Sequence, residues 1–99
     1  MQSEFLEWDD AKAEINRRKH GVDFIEAATV LSDRFVRFEQ DSLHSEGELR
    51  STATGFSAWS RVLLVVYTER RERIRIISAR KATRQERSEY ESQFGSWQG

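Results

Sequence analysis

The most regular apolar patterning lies in two neighbouring runs late in the chain. Val62–Glu69 reads V-L-L-V-V-Y-T-E, apolar at consecutive positions, as a central strand covered on both faces does. Arg73–Arg80 reads R-I-R-I-I-S-A-R and alternates as a strand with one apolar face. The connection Glu69-Arg70-Arg71-Glu72 predicts a short hairpin, without the glycine that a tight two-residue turn favours. With Thr68 set opposite Arg73, alternation sorts the side chains. Leu63, Val65, Tyr67, Ile74 and Ile76 share an apolar face that needs helices over it. Val62, Leu64, Val66, Thr68, Arg73, Arg75 and Ile77 share the other.

Helical signals flank this hairpin. Asp9 stands as an N-cap before a predicted helix over 10–20, whose last turn carries Arg17, Arg18, Lys19 and His20 and whose end is marked by Gly21. Asp23 and Glu26 form a capping-box-like pair ahead of Ala27, Ala28, Val30 and Leu31, and Ser32-Asp33 ends that second helix. Thr83-Arg84-Gln85-Glu86 is a capping box as written. It opens a helix over 83–94 with Tyr90, Phe94 and Trp97 on one stripe, placed to lie on the sheet. Short strands are predicted at 4–8, 35–39 and, more weakly, 50–57, with an acidic loop over 41–48. The order β-α-α-β-β-β-β-α predicts an α+β fold: an antiparallel sheet packed by two N-terminal helices and a C-terminal helix, in one domain spanning residues 1–99.

Composition narrows the classes. The chain has no cysteine, which removes disulfide frameworks and thiol chemistry. Its longest apolar run, Val62–Tyr67, is far below the ~18 residues of a membrane span. The expectation is a soluble, cytoplasmic protein that makes no membrane contact. Net charge is −1, yet residues 1–50 carry seven Lys/Arg against twelve Asp/Glu, and residues 51–99 carry nine against five. All nine of those bases fall between Arg61 and Arg87, and 13 of the chain's 16 bases are arginine. A guanidinium presents a planar fork of donors that fits a phosphate bidentately.

Arg73 and Arg75 on an otherwise apolar sheet face are costly to bury, so that face should be open, a platform for phosphate. The competing reading pairs them with Glu on a neighbouring strand. Trp8, Tyr67, Tyr90 and Phe94 stand at core-like spacings, whereas Trp59, at a turn, is free to stack on a base or meet a partner.

Three stretches carry a family resemblance: Phe5–Ala28 (F-L-E-W-D-D-A-K-A-E-I-N-R-R-K-H-G-V-D-F-I-E-A-A), Asp41–Arg50 (D-S-L-H-S-E-G-E-L-R), and Leu63–Arg87 with its R-I-I-S-A-R-K-A core. In order and spacing the chain resembles the BrnT family of bacterial type II toxins, small ribonucleases with a RelE-like fold. Arg71-Glu72 departs from the pattern, since members commonly have a glycine in that turn. The resemblance implies an endoribonuclease that needs no metal or other cofactor and inhibits translation. It also implies a BrnA-like ribbon-helix-helix antitoxin as partner, a toxin–antitoxin heterotetramer, and contact with operator DNA only through the antitoxin. Dependence on the ribosome stays open.

Without metal, RNA is cut by its own 2′-hydroxyl, which requires a base, cations on the phosphate oxygens and an acid for the leaving 5′-oxygen. Arg80, inside the family motif and beside the Thr83 helix start, is the first candidate cation. Glu69, flanked by Arg70 and Arg71, is held ionised and able to accept a proton, or is half of a surface ion pair. His20, at a helix C-terminus that favours its protonated form, is a catalytic candidate or a structural cap. Arg73, Arg75, Arg70, Lys19 and Lys81 are candidate substrate-positioning groups. His44, alone in the acidic loop, is weak support for a metal site. Two rival readings remain: a non-catalytic module that binds antitoxin and strengthens operator binding, and a plain RNA-binding domain.

Overall fold

The computed structural model describes residues 1–41 and 48–97. The elements are strand β1 (Leu6–Glu7), helices α1 (Asp10–His20) and α2 (Phe24–Val30), strands β2 (Arg37–Asp41), β3 (Arg50–Phe56), β4 (Val62–Arg70) and β5 (Arg73–Lys81), helix α3 (Arg84–Glu91) and a 3₁₀ helix over Ser92–Trp97. His44 lies outside the described residues.

The caps are those the residue chemistry demands. Asp9 accepts the Lys12 N–H at 3.0 Å, and Gly21, at φ 69°, returns its N–H to the Arg17 carbonyl at 2.9 Å. Asp23 accepts the Ile25 N–H at 2.9 Å. Thr83 and Glu86 close the predicted capping box on α3. Glu26 does not complete one. It turns into the protein, where Arg61 and Ser57 bind its carboxylate.

The sheet has strand order β1-β5-β4-β3-β2. β2 through β5 form an antiparallel meander, but β1 runs parallel to β5, pairing Leu6 with Ile74 and Glu7 with Arg75. The sheet is therefore mixed rather than wholly antiparallel. A strand of two residues has no alternation from which direction can be read. Its direction follows from where Phe5 sits, its carbonyl accepting the Ile74 N–H at 2.8 Å on the open edge of β5.

Helices α1 and α2 cover the odd-numbered face of β4. Trp8, Val22, Phe24, Ala27 and Val30 pack there against Ala53, Leu63, Val65, Tyr67, Ile76 and Ala79. Trp8 meets Phe24 edge to face at 5.9 Å. Helix α3 packs against β3. Its buried Tyr90 donates to Asp33 Oδ2 at 2.6 Å, and Phe94 packs edge to face on Phe35 at 4.8 Å. The expected stripe thus seats partly on the turn before β2 rather than wholly on the sheet. Trp8, Tyr67 and Tyr90 are buried as packing residues, and Trp59 is exposed in the β3–β4 turn.

Candidate active site

The β4–β5 hairpin decides which side chains share a face. Arg70 pairs with Arg73, so the turn is only Arg71-Glu72, with φ of 50° and 66°. Thr68 stands opposite Arg75, two residues from the expected register. A two-residue slip preserves facing, so Arg73 and Arg75 do share the even face of β4.

A bulge then changes the parity. Tyr67 pairs with Ile76 but Val66 pairs with Ser78, which leaves Ile77 without a partner. Beyond it Ser78 and Arg80 take the even face, Arg80 directly opposite Leu64. In an unbroken strand Arg80 would point with Ile74 and Ile76 into the helical layer, and Ile77 would share the face of Arg73 and Arg75. The bulge instead gathers Arg73, Arg75 and Arg80 on one side, with Arg70 beside them across from Arg73. Asn16 holds this end of β5 from the edge: its Nδ2 donates to Ala79 O at 2.8 Å, and its Oδ1 accepts the Ala79 N–H at 3.1 Å.

None of the three arginines is idle. Arg75 Nη1 donates to Glu7 Oε2 at 3.1 Å, the neighbouring-strand pairing that competed with an open platform. Arg73 Nε donates to the Ser3 carbonyl at 2.8 Å. Arg80 grips Glu86 end-on, Nη1 to Oε1 at 2.8 Å and Nη2 to Oε2 at 2.9 Å, and Nη1 also reaches Lys81 O at 3.2 Å. That grip holds the Glu86 carboxyl down at about 2 and raises the Arg80 guanidinium. Five N–H groups lie in the guanidinium plane. Among the described residues nothing accepts from Arg80 Nε or from the second Nη2 hydrogen, which together form the side-on fork.

Above this part of the sheet lies a cavity of about 370 Å³, lined by Glu39, Gln40, Thr52, Leu64, Val66, Arg80 and Glu86. Its floor is Thr52, Leu64 and Val66 from β3 and β4, and its walls are Glu39 and Gln40 from β2, Arg80 from β5 and Glu86 from α3.

The other expected site residues are not brought here. Glu69 lies on the opposite face of β4, five positions beyond the partner of Arg80, roughly 17 Å along the strand. It lines a separate cavity with Gln40, Glu48, Leu49, Ser51 and Thr68. His20 and Lys19 end α1, on the helical side of the sheet, and the exposed Lys81, opposite Leu63, has that same facing. Arg70 binds Glu48 at 2.6 Å. Arg80, Glu69 and His20 therefore do not form one constellation. The physical reason is that the bulge, invisible to a count of alternating positions, moves Arg80 away from the face that carries Glu69.

Three residues were missed by reading the sequence. Arg50 lies outside the basic window; it takes the even face beside Thr68, and its buried Nε has no hydrogen-bond partner among the described residues. Glu86 was read only as a cap. Glu39 stood in a strand with no chemical signal of its own. Among the described residues no three His, Cys, Asp or Glu side chains group as metal ligands, and no helix is long and apolar enough to cross a membrane.

An apolar sheet floor walled by the Arg80 guanidinium and the carboxylates of Glu39 and Glu86 makes this a small α+β protein with a charged cleft on its sheet. The family comparison makes the class specific: residues 8–86 match the model of the ribonuclease toxin BrnT of type II toxin–antitoxin systems, and the chain belongs to that family. RNA as substrate and an antitoxin as partner come with that membership. The Brucella abortus ribonuclease toxin BrnT has a similar fold, with a TM-score of 0.60 and 23% identity over 81% of this chain and 99% of that one. A comparison with curated protein sequences returns no match.

Proposed function

We propose that this protein is a metal-independent endoribonuclease. It cuts RNA through attack of the 2′-hydroxyl on the adjacent phosphorus, acts in the cytoplasm to stop translation, and is neutralised by a ribbon-helix-helix antitoxin. The observation that carries the reading is Arg80: its end-on fork is anchored by Glu86, no described residue accepts from its side-on fork, and its side chain lines a cavity of about 370 Å³. A cation fixed in advance stabilises charge where it builds up in the transition state without reorganising. Arg73, Arg75 and Arg70 extend the cationic surface along the same face and position the flanking backbone. Glu69 and His20, on the other face, take no part in that step.

The test is cleavage of labelled RNA by purified protein in EDTA, beside an Arg80→Ala variant. Products ending in 2′,3′-cyclic phosphate, lost in the variant, establish the activity and its metal-free route. Undiminished cleavage by the variant removes Arg80 from the mechanism.

A second reading is favoured by the acceptors that Arg73, Arg75 and Arg80 already have in Ser3, Glu7 and Glu86: a non-catalytic module that binds antitoxin. Absence of cleavage, with and without ribosomes, selects it.

A further inference from the structure

The cavity beside Arg80 contains a carboxylate that the cationic site leaves unexplained. Glu39, in the edge strand β2, pairs across the sheet with Thr52, which faces Val66, which faces Ser78; Arg80 lies one row away, opposite Leu64. Three inter-strand steps separate Glu39 from Arg80, roughly 14 Å of sheet. Only Thr52, Leu64 and Val66 floor the gap, so the two long side chains rise on either side of the cavity of about 370 Å³.

The charged groups facing Glu39 are few. Arg37, on its own strand, stands 3.6 Å away, with both side chains well exposed, a weak pairing. Arg80 faces it from β5. From α3 come Glu86, already committed to Arg80 and to the Thr83 N–H at 2.8 Å, and Glu89, which shares with Glu39 a smaller neighbouring cavity that excludes Arg80. β4 presents Leu64 and Val66 there, neither titratable, and β3 presents Thr52 and, two residues along the same face, the Arg50 cation. Of the two carboxylates in the Arg80 cavity, Glu39 alone is not bound in a guanidinium fork.

We infer that Glu39 is the general base of the cleavage step, facing the Arg80 cation across the bound phosphodiester. The inference rests on the ribonuclease reading and adds to it the group that takes the proton. Glu39 removes the proton from the 2′-hydroxyl, and the 2′-oxygen forms a bond to phosphorus. The P–O5′ bond breaks with its electron pair going to O5′, which takes a proton from solvent water, while Glu39 returns its own proton to solvent. The products are a 2′,3′-cyclic phosphate and a 5′-hydroxyl. Arg80 holds a non-bridging oxygen throughout. Glu39 sits on an exposed edge, where replacement leaves the core intact.

The experiment compares wild type, Glu39→Gln and Glu39→Asp for cleavage rate across pH, and for affinity toward an uncleavable 2′-O-methyl RNA. Expected for Glu39→Gln is a loss of ~10²–10⁴-fold in rate, affinity within about twofold, and disappearance of the fall in rate on the acid side of the profile. Glu39→Asp should recover part of the rate with that acid limb present. Cleavage by Glu39→Gln within about threefold of wild type overturns the assignment while leaving the ribonuclease reading intact. A loss of affinity that matches the loss of rate also overturns it, making Glu39 a binding group. A wild type that does not cleave overturns both readings.

Discussion

The side-chain amide of Asn16 binds both backbone polar groups of Ala79, taking its N–H at 3.1 Å and donating to its carbonyl at 2.8 Å, and donates a further hydrogen bond to the Val22 carbonyl at 3.0 Å. β1 pairs with β5 only at Ile74 and Arg75. Past that point the edge of β5 would have no strand beside it, and the buried amide does a strand's work at the residue next to Arg80. A helix side chain thus fixes the bulged end of the strand on which the candidate cation stands.

Asn16→Leu should therefore cost about 2–3 kcal/mol, since it leaves buried backbone groups at Ala79 and Val22 unsatisfied. Chemical denaturation measures the loss. Amide exchange at Ala79 should accelerate in the variant more than exchange in β3.

The Glu26–Arg61 pair joins α2 to the start of β4. Glu26 is 4% exposed, and it accepts from Arg61 Nε at 2.9 Å and from Ser57 Oγ at 2.7 Å. The Arg61 bond holds the Glu26 carboxyl below its usual range. Arg61→Met alone should destabilise by roughly 3 kcal/mol, because it strands a buried carboxylate. Adding Glu26→Leu should recover much of that loss, and a double-mutant cycle in urea measures the coupling. Additive effects would show that the pair does not act as a unit.

Acid titration should single out Glu86. Arg80 holds its folded-state value at about 2, against 4.5 for the free carboxyl. The depressed value means the contribution is present above about pH 4.5 and is lost as pH falls from there toward 2. Between pH 5 and pH 2, wild type should lose about 1–2 kcal/mol more than Glu86→Gln, after allowance for the partial exposure of both partners. Equal losses would mean that solvent screens the pair.

The hairpin turn holds left-handed conformations without a glycine. Arg71 and Glu72 have φ of 50° and 66°, the geometry of a two-residue turn whose second position favours glycine. Glu72→Gly should raise stability by about 0.5–1 kcal/mol, since relief of the left-handed strain outweighs the added freedom of the unfolded chain. Thermal unfolding reports it, and an unchanged or lower midpoint would refute the strain.

Much of the fold was legible because its signals are local. Asp9, Gly21, Asp23 and Thr83 each act on backbone groups within four residues, so helix ends could be read directly. The hairpin was legible because alternation survives a two-residue error in register. The candidate site was legible only in part. Arg73 and Arg75 were placed on their face by counting. Arg80 was named through its motif, and its facing depended on a bulge that counting cannot detect. Glu39 and Arg50 carried no local signal, since what marks them is their place across neighbouring strands.

The sequence by itself determined the α+β order of elements, the helix caps, the strand pair Val62–Glu69 with Arg73–Arg80 to within a residue at each end, and the presence of an arginine-rich sheet face. Tertiary structure alone decided the parallel docking of β1, the burial of Glu26 against Arg61, the clamp of Asn16 on Ala79, and the meeting of Glu39, Arg80 and Glu86 around one cavity. The division has a physical cause. Caps and alternation are settled between near neighbours, whereas a bulge and the pairings across it are settled by which distant groups must satisfy one another once the strands are in place.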